Sequence, residues 1–281
     1  MSGTRCAMWI WYRGDFFRGF QSQRGGNTVQ QTISEAVAPL EMPGSVLAAG
    51  RTDRGVHARM QVIAMRLASR TSVDDLAARL GSAAPGALGV VASKLSVHGF
   101  HPSWSATRKE YRYRVALGRV LPLEWAPFAW IIREHPRFRG AEPDPSRMAD
   151  VLRHFSGARD FIAFHEKSSP RRSRTLHEAS MRELEHGVFE LRLVGDGFAR
   201  FQVRYLAGAA ALVAAGIVPE DALRASLADG VSFPGLKAPP APLVLWDVVY
   251  PPPLDPFSNL ERVNAPGIPA EPPFASASTA H

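Results

Sequence analysis

Apolar and polar positions along the first hundred residues follow an order of short strands and helices. Residues 6–12, CAMWIWY, form an apolar run rich in strand-forming side chains. Val29, Ile33 and Val37 then recur every four residues and predict a helix, which Thr28 is placed to cap. Further apolar runs and breakers predict strands near 45–50 and 59–67, a helix near 73–81 and a strand near 89–97.

The second half of the chain repeats this order with longer connections. In KEYRYRVAL, residues 109–117, Tyr111, Tyr113 and Val115 alternate with charged neighbours, which is typical of a strand with one polar face. The remaining predicted elements are a helix near 146–155, strands near 174–183 and 188–194, a helix from about 198 to 215, a short helix near 219–228 and a strand at 243–250. Each half therefore has the order β-α-β-β-α-β of the ferredoxin-like unit.

The predicted fold class is α+β, with two ferredoxin-like β-α-β-β-α-β units whose sheets join side by side and leave a cleft between them. We expect the first unit to span 1–104 and the second 105–250. Residues 251–281 are rich in proline and cannot bury enough apolar surface to offset the entropy of ordering them. This tail is predicted to be disordered or loosely draped.

Charge adds a partner class to this picture. The formal net charge is +7 and the sequence pI is about 10.1, and a basic globular chain most often meets a polyanion such as nucleic acid. The basic residues are spread along the chain, with one dense run at Arg171, Arg172 and Arg174. A solvated protein surface without a nucleic-acid partner could have the same composition. The charge therefore favours a nucleic-acid partner but does not establish one.

Composition also argues against several classes of protein. A single cysteine, Cys6, can form neither an internal disulfide nor a structural metal framework. No run of eighteen apolar residues is present, and the first residues lack the pattern of a secretory signal, so a cytoplasmic location is expected. No His, Cys, Asp and Glu cluster has metal-ligand spacing, and phosphate-binding or dinucleotide fingerprints are absent, so neither a metal nor a cofactor is expected.

The stretch AGRTDRGVHA, residues 49–58, places Asp53 between Arg51 and Arg54 with Gly55 immediately after them. A charged surface turn explains this pattern, because Asp bonds its own backbone and Gly tolerates positive φ. A functional carboxylate explains it as well. The remaining motifs decide between the two.

Four motifs resemble one family, the TruA-type tRNA pseudouridine synthases. They are YRGDFFRGFQSQ (12–23), GRTDRGVHA (50–58), SATRKEYRYRV (105–115) and GDGFARFQVRYLAGAAALVAAG (195–216), the last followed by LVLWDVVYP. Their order and spacing match from about residue 8 to 251. The second motif is similar to the family's catalytic-aspartate signature and is highly specific, whereas the other three are weak singly and strong together.

The resemblance implies cofactor-free isomerisation of uridine to pseudouridine in the anticodon stem-loop of tRNA, by a homodimer. Asp53 matches the nucleophile, which attacks the target nucleoside before the uracil detaches, rotates and rejoins through C5. A nucleophilic carboxylate must be ionised, and a nearby opposite charge lowers its pKa by roughly 1–3 units. Arg51 and Arg204 are the candidates to supply that charge. Arg51 also aligns with an arginine thought to fill the space of the flipped-out nucleotide.

Three residues of the second half complete the implied site. Tyr111 aligns with the tyrosine that stacks on the target uracil and moves the C5 proton, although Tyr113 lies on the same strand face and the pattern alone does not separate them. Arg204 lies in an apolar helix, where a charge needs a partner. Leu243 matches a leucine that packs against the base, and an ordinary strand leucine explains it almost as well. We expect His57 to order its loop and assign it no chemistry.

Several positions depart from the family pattern. Arg54 replaces a small residue, Glu110 replaces a basic one, and Pro242 replaces a glycine. Gln202 and Tyr205 replace residues that are usually Met and Asn. Arg54 and Glu110 are expected close to the path of the RNA, so these two departures bear on the choice of substrate and on catalytic efficiency.

Other functions remain open from the sequence. A non-catalytic RNA-binding or tRNA-chaperone protein on the same scaffold would share the basic charge and the fold, and so would a paralogue acting on another RNA uridine. The carboxylate of Asp53 argues for catalysis, because a binder gains nothing from a negative charge beside phosphates. A metal-dependent nuclease would need converging carboxylates, and none flank Asp53.

Overall fold

The computed structural model describes residues 5–42, 44–118, 120–166 and 173–275. By its contacts the chain divides into two units. The first comprises Met1–Lys109 and Val244–Ala270, and the second comprises Glu110–Leu243 and Glu271–His281. The boundary near residue 109 lies close to the expected one, whereas the last strand, predicted for the second unit, is grouped with the first.

The first unit has the predicted element order, followed by a strand from the far end of the chain. Its elements are β1 (Arg5–Tyr12), α1 (Val29–Val37), β2 (Leu47–Ala48), β3 (His57–Arg66), α2 (Val73–Gly81), β4 (Leu88–Leu95) and β10 (Leu243–Val249). The strands lie in the order β4-β1-β3-β10, with the short β2 also on β3. The β1, β2, β3 and β4 pairs are antiparallel, and β10 pairs with β3 in parallel through Val244↔His57.

Capping explains where the first helix begins. The Thr28 hydroxyl accepts a hydrogen bond from the backbone N–H of Gln31 at 3.2 Å, which satisfies one of the donors left open at a helix start. Val29, Ile33 and Val37 are the buried residues of this helix, as their spacing predicts.

The second unit carries the remaining elements. They are β5 (Arg108–Ala116), β6 (Trp130–Ile131), α3 (Pro145–Arg153), β7 (Gly157–Arg159), β8 (Arg174–Glu185), β9 (Val188–Gly195), α4 (Gln202–Ala214) and α5 (Glu220–Asp229). Strands β5, β9, β8 and β7 follow one another in the sheet, and β6 pairs in parallel with β5. The short β6 and β7 are not visible in the apolar pattern. Of the basic run, Arg171 and Arg172 lie outside the described residues.

Helix α4 starts later than the apolar pattern predicts. The expected helix began at about 198, but Phe201 takes a left-handed backbone with φ of +63° and stands at the N-cap. Non-glycine residues adopt this conformation at a cost, so the helix cannot extend backwards through Phe201. From Gln202 to Ala214 nearly every side chain is buried, and the helix forms the core of its unit.

The Pro-rich segment is held by specific contacts over the part that the structure describes, residues 251–275. Arg262 donates to Asp247 at 2.9 Å and to Asp255 at 2.5 Å. Arg59 donates to the carbonyl of Val263 at 2.6 Å and lies over the Trp246 ring. Composition predicts too little apolar burial to order such a chain, but these hydrogen bonds tie it down. The described part of the segment is therefore held by hydrogen bonds from Arg262 and Arg59. Residues 276–281 lie outside the described part.

Within the described ranges, no helix combines the length and apolar character needed to cross a membrane.

A buried network of charges lies on the β5, β8 and β9 strands. The Arg114 guanidinium and the Glu190 carboxylate are both fully buried and lie 3.0 Å apart. Burial lowers the pKa of Arg114 to about 10, although the charge of Glu190 opposes that effect. Arg112 and Arg182 also contact Glu190, at 3.2 and 2.8 Å. The buried Glu190 carboxylate thus contacts one fully buried guanidinium, that of Arg114, and two that reach solvent, those of Arg112 and Arg182.

We expect Glu190→Leu to lower the free energy of unfolding by about 3–5 kcal/mol, because it removes the carboxylate that compensates a buried charge. Adding Arg114→Met should recover most of this loss, since removing both members of a buried pair is often nearly neutral. Urea denaturation measures both changes, with Glu178→Gln, at a more exposed ion pair, as the control. An unchanged midpoint for Glu190→Leu would contradict the expectation.

Candidate active site

Asp53 stands at the first position of a tight turn. Its carbonyl accepts a hydrogen bond from the Val56 N–H at 3.1 Å, and Gly55 at the third position has φ of +81°. A positive φ at that position is what a type II turn requires, and glycine adopts it without strain. The predicted turn at Gly55 is confirmed. Asp53 is half-buried, and Arg51 and Arg54 on the same loop are exposed.

Two glycines of the 12–23 motif allow the chain to pass directly against this turn. A Cβ on Gly14 would lie 2.2 Å from the Val56 carbonyl oxygen, and one on Gly19 would lie 3.0 Å from that of Thr52. Gly19 also has φ of +100°. The Phe20 N–H donates to the Thr52 carbonyl at 3.0 Å. The first two motifs therefore form one packed pair of loops.

A buried cluster of polar side chains, Tyr12, Thr52 and Gln61, holds the loop that carries Asp53. The hydroxyls of Tyr12 and Thr52 lie 2.7 Å apart. The Gln61 amide donates to the Gly50 carbonyl at 2.6 Å and lies 3.4 Å from the Tyr12 hydroxyl. Burial raises the pKa of Tyr12 to about 12, although Thr52 and Gln61 partly oppose it, so the phenol is protonated at neutral pH. Sequence reasoning missed this cluster; its signal is the lone glutamine in the apolar strand HARMQVIAMR.

His57 has the ordering role predicted for it. The ring is fully buried, and its Nδ1 accepts a hydrogen bond from the Gly14 N–H at 3.0 Å. A nitrogen that accepts carries no proton, so this bond fixes the tautomer with the proton on Nε2. The bond joins the two loops at the start of β3.

In the second unit, Arg204 is buried at the start of α4. Its Nε donates to the Ala238 carbonyl at 2.6 Å, and its guanidinium lies 5.2 Å from the centre of the Phe201 ring. Gly208, one turn later, lets the neighbouring segment approach, since a Cβ there would lie 1.9 Å from the Leu236 carbonyl oxygen. Close packing at Gly208 thus brings the Ala238 carbonyl to Arg204.

Two further cations surround the same phenylalanine. The Arg200 guanidinium lies 4.7 Å and the Lys237 ammonium 4.2 Å from the centre of the Phe201 ring. We call Arg200, Arg204 and Lys237 the Phe201 cation cluster. Glu166 lies 3.5 Å from Lys237 and offsets part of this charge. Sequence reasoning missed Arg200 and Lys237, because neither stands out in its own segment.

The two tyrosines of β5 have different surroundings. Tyr113 is fully buried and its hydroxyl donates to the Pro239 carbonyl at 3.0 Å. Burial holds the pKa of Tyr113 well above its usual value, although the Arg204 charge opposes this. Tyr111 keeps 8% of its surface exposed and packs edge-on against Phe198, with the ring centres 5.0 Å apart. Of the two, Tyr111 is thus the one that retains accessible surface.

Glu110 is already compensated. Its carboxylate lies 2.7 Å from Arg112 and 2.8 Å from Arg192. Burial alone would raise its pKa, but the hydrogen bond from Arg192 and the charge and hydrogen bond of Arg112 hold it below the usual value. Successive strand residues point to opposite faces, so Glu110 and Tyr111 do not share a face. The Glu110 carboxylate is therefore bound by two arginines, and its place relative to an RNA stays a prediction.

The predicted site residues fall into two groups. Asp53 and Arg51 belong to the first unit, and Tyr111, Arg204 and Leu243 belong to the second. Leu243 is buried at the start of β10. Across the described residues, no group of three or more His, Cys, Asp and Glu side chains is arranged to hold a metal ion.

The chain is similar in sequence to known tRNA pseudouridine synthases. A family model described as "tRNA pseudouridine synthase" matches residues 151–251. The chain is 34% identical to "tRNA pseudouridine synthase A" of Synechococcus sp. (strain CC9605), over 75% of this chain and 71% of the relative. It is 30% identical to the protein of the same name from Bacillus subtilis (strain 168), over 86% of this chain and 97% of the relative.

Among solved structures, a "Cbf5-Nop10-Gar1 Complex" chain aligns at 12% identity with a TM-score of 0.35, covering 74% of this chain and 44% of that one. A TM-score of 0.35 is too low to indicate a shared fold.

Gly14→Ala should destabilise the loop that carries Asp53. Its Cβ would meet the backbone of Val56, which cannot move aside as a side chain does, and overpacking of this kind typically costs about 1–3 kcal/mol. Urea denaturation and the exchange rate of the Val56 amide proton measure the effect. Gly81→Ala is the matched control, because its Cβ meets nothing within 4 Å. Equal behaviour of the two variants would mean that the close approach does not constrain the loop.

Proposed function

The chain belongs to the tRNA pseudouridine synthase A family, a family of isomerases, and on that premise we propose that it converts uridine to pseudouridine in the anticodon stem-loop of tRNA with Asp53 as nucleophile. No cofactor or metal takes part in this proposal. We further propose that both units are ferredoxin-like domains arranged around a catalytic cleft. The protein is proposed to act as a homodimer in the cytoplasm. The alternatives are a non-catalytic RNA-binding protein on the same scaffold and an enzyme for a uridine of another RNA.

One observation carries the proposal: the fixed presentation of a carboxylate on a turn that two glycines, a buried histidine and a buried polar cluster hold in place. Proteins place nucleophiles on rigid, tightly constrained turns because catalysis requires a reproducible position of the reacting atom. A solvated surface turn needs no such support. The close packing of the Asp53 loop against Gly14, Gly19 and Tyr12 therefore favours a functional carboxylate over one on an ordinary solvated turn.

The proposed reaction conserves every atom of the nucleoside. The ionised carboxylate of Asp53 attacks the target nucleoside, and the bond between N1 of the uracil and C1′ of the ribose breaks. The detached uracil rotates, C5 bonds to C1′, and the bond between the Asp53 carboxylate and the nucleoside breaks, which regenerates the carboxylate. The proton on C5 is removed while N1 gains one. Attack at the sugar and attack at the base both fit this sequence of steps.

The other site residues have distinct roles in the proposal. Arg51 holds the space left by the flipped-out nucleotide and contacts the backbone, as a long cationic side chain can. Arg204 supplies positive charge toward the nucleophile. The face of Tyr111 stacks on the uracil, its hydroxyl moves the C5 proton, and Leu243 packs against the base. Arg200 and Lys237 are exposed beside Phe201 and favour a polyanionic partner, because exposed cations attract phosphates.

We expect Asp53→Asn to abolish turnover and to leave the affinity for tRNA within several-fold, because the variant keeps the size of the side chain and removes the charge needed for attack. Release of tritium from tRNA labelled at uridine C5 measures turnover, and filter binding measures affinity. Asp74→Asn, at an exposed carboxylate of α2, is the control and should retain full activity.

Joint loss of binding and activity in Asp53→Asn would make Asp53 structural and contradict its role as nucleophile. Binding without release of tritium by the unaltered protein would favour the RNA-binding alternative or an enzyme for another RNA. Transcripts with single uridines replaced would then identify the target.

Tyr111→Phe should lower kcat by about 10²- to 10⁴-fold, the usual contribution of a positioned acid or base, with KM nearly unchanged because the ring still stacks. Tyr113→Phe is the matched control, since it loses only the hydrogen bond to Pro239, worth about 1 kcal/mol of stability. Tritium release under multiple and single turnover gives kcat and KM. Equal losses in the two variants would remove Tyr111 from the proton transfer.

A further inference from the structure

Trp104 is an exposed aromatic side chain that the proposed reaction does not use. It lies between β4 and β5 and exposes 84% of its surface. The other five tryptophans of the chain expose 7% or less. A single exposed apolar side chain is common on protein surfaces, but an indole offers a large flat face that a partner can cover.

One face of the indole is already covered. The His101 ring stacks on it with the ring centres 4.0 Å apart and the planes 11° from parallel. The His101 Nδ1 accepts hydrogen bonds from the backbone N–H groups of Ser103 and Trp104, at 3.1 and 3.2 Å. Burial, and then the charge of Arg5, lower the pKa of His101, so the ring is neutral at neutral pH. The stack presents one flat, open face to solvent.

The loop beneath the stack is held at several points. The Ser105 hydroxyl accepts a hydrogen bond from the His101 N–H at 3.0 Å. The Tyr250 hydroxyl donates to the Pro102 carbonyl at 2.8 Å, and its ring packs against Phe100. An indole on such a support loses little conformational entropy when a ligand stacks on it.

The surroundings of Trp104 are basic. Residues 76–109 contain no Asp or Glu. Lys94 and Arg108 are exposed in this stretch, and the Arg5 guanidinium donates to the Phe100 carbonyl at 3.4 Å. An exposed aromatic face in a stretch whose charged side chains are all basic is complementary to a nucleic acid, which offers bases to stack and phosphates to attract.

We propose that the open face of Trp104 stacks on an unpaired nucleobase of the substrate tRNA, at a second contact separate from the target uridine. The proposal rests on the proposed function, which supplies the tRNA. A protein partner is the less favoured occupant. A specific protein interface buries about 1,000 Å² or more, whereas the exposed apolar side chains of this loop and the end of β4 are Trp104, Leu95 and Val97.

Trp104 provides its own spectroscopic probe. Because the other tryptophans are buried, acrylamide quenching and red-edge emission report mainly on Trp104. Saturating tRNA transcript should lower the quenching constant of the wild-type protein severalfold. In Trp104→Phe the quenching constant should be small without tRNA and should not respond to it.

Kinetics test the contribution of the contact. Trp104→Ala should raise KM for tRNA by about 5- to 100-fold, the equivalent of one base stacked on an aromatic ring, with kcat unchanged. Trp104→Phe should restore most of the lost affinity, because it keeps a flat aromatic face. Leu123→Ala removes an equally exposed apolar side chain from the second unit and is expected to leave KM unaltered.

Three results would overturn the proposal. They are quenching that saturating tRNA does not change, a wild-type KM in Trp104→Ala, and conversion of a dimer to a monomer by Trp104→Ala in light scattering, which would place a second protein chain on this face. If the wild-type enzyme releases tritium in any of these cases, the proposed function stands without the second contact. Protection of Trp104 by tRNA in a protein that releases no tritium would support the contact and contradict the proposed isomerase.

Discussion

The loop of Asp53 depends on backbone contact that only glycine permits. Any side chain at Gly14 would push the 12–23 segment away from Val56, and the hydrogen bond from the Gly14 N–H to His57 would be lost with it. The tautomer of His57, the start of β3 and the turn that presents Asp53 all follow from that approach. Because the opposing atoms are backbone, no rotamer change relieves the clash. This makes the pair of loops a rigid support rather than a mobile one.

In the second unit, a proline-rich segment holds the side chains of Arg204 and Tyr113 in place. Residues 234–239 form neither a strand nor a helix, so their carbonyl groups are not used in regular secondary structure and can accept other hydrogen bonds. Arg204 and Tyr113 use two of them in sequence, at Ala238 and at Pro239. The segment thereby orients the buried Arg204 side chain and binds the Tyr113 hydroxyl.

Local pattern predicted the elements, and long-range contact decided the rest. The spacing of Val29, Ile33 and Val37 and the cap at Thr28 gave the first helix its observed bounds. The parallel pairing of β10 with β3 joins residues almost two hundred positions apart, and no local signal encodes it. The late start of α4 arises from the left-handed backbone of Phe201, which the apolar pattern around it conceals. Of the candidate site, motif similarity predicts the residues, whereas the contacts that hold them depend on tertiary packing.

The basic character of the chain is unevenly available to a partner. On β5, β8 and β9 the guanidinium groups face carboxylates: Arg112, Arg114 and Arg182 meet Glu190, and Arg192 meets Glu110 and Glu178. A guanidinium paired in this way attracts a polyanion less strongly, because the carboxylate beside it offsets much of its field. Residues 76–109, the stretch that contains Trp104, include no Asp or Glu, and Arg200 and Lys237 lie exposed beside the Phe201 ring, with Glu166 3.5 Å from Lys237. The formal charge of +7 is therefore distributed unevenly, and attraction of a phosphate backbone depends on where cations are exposed.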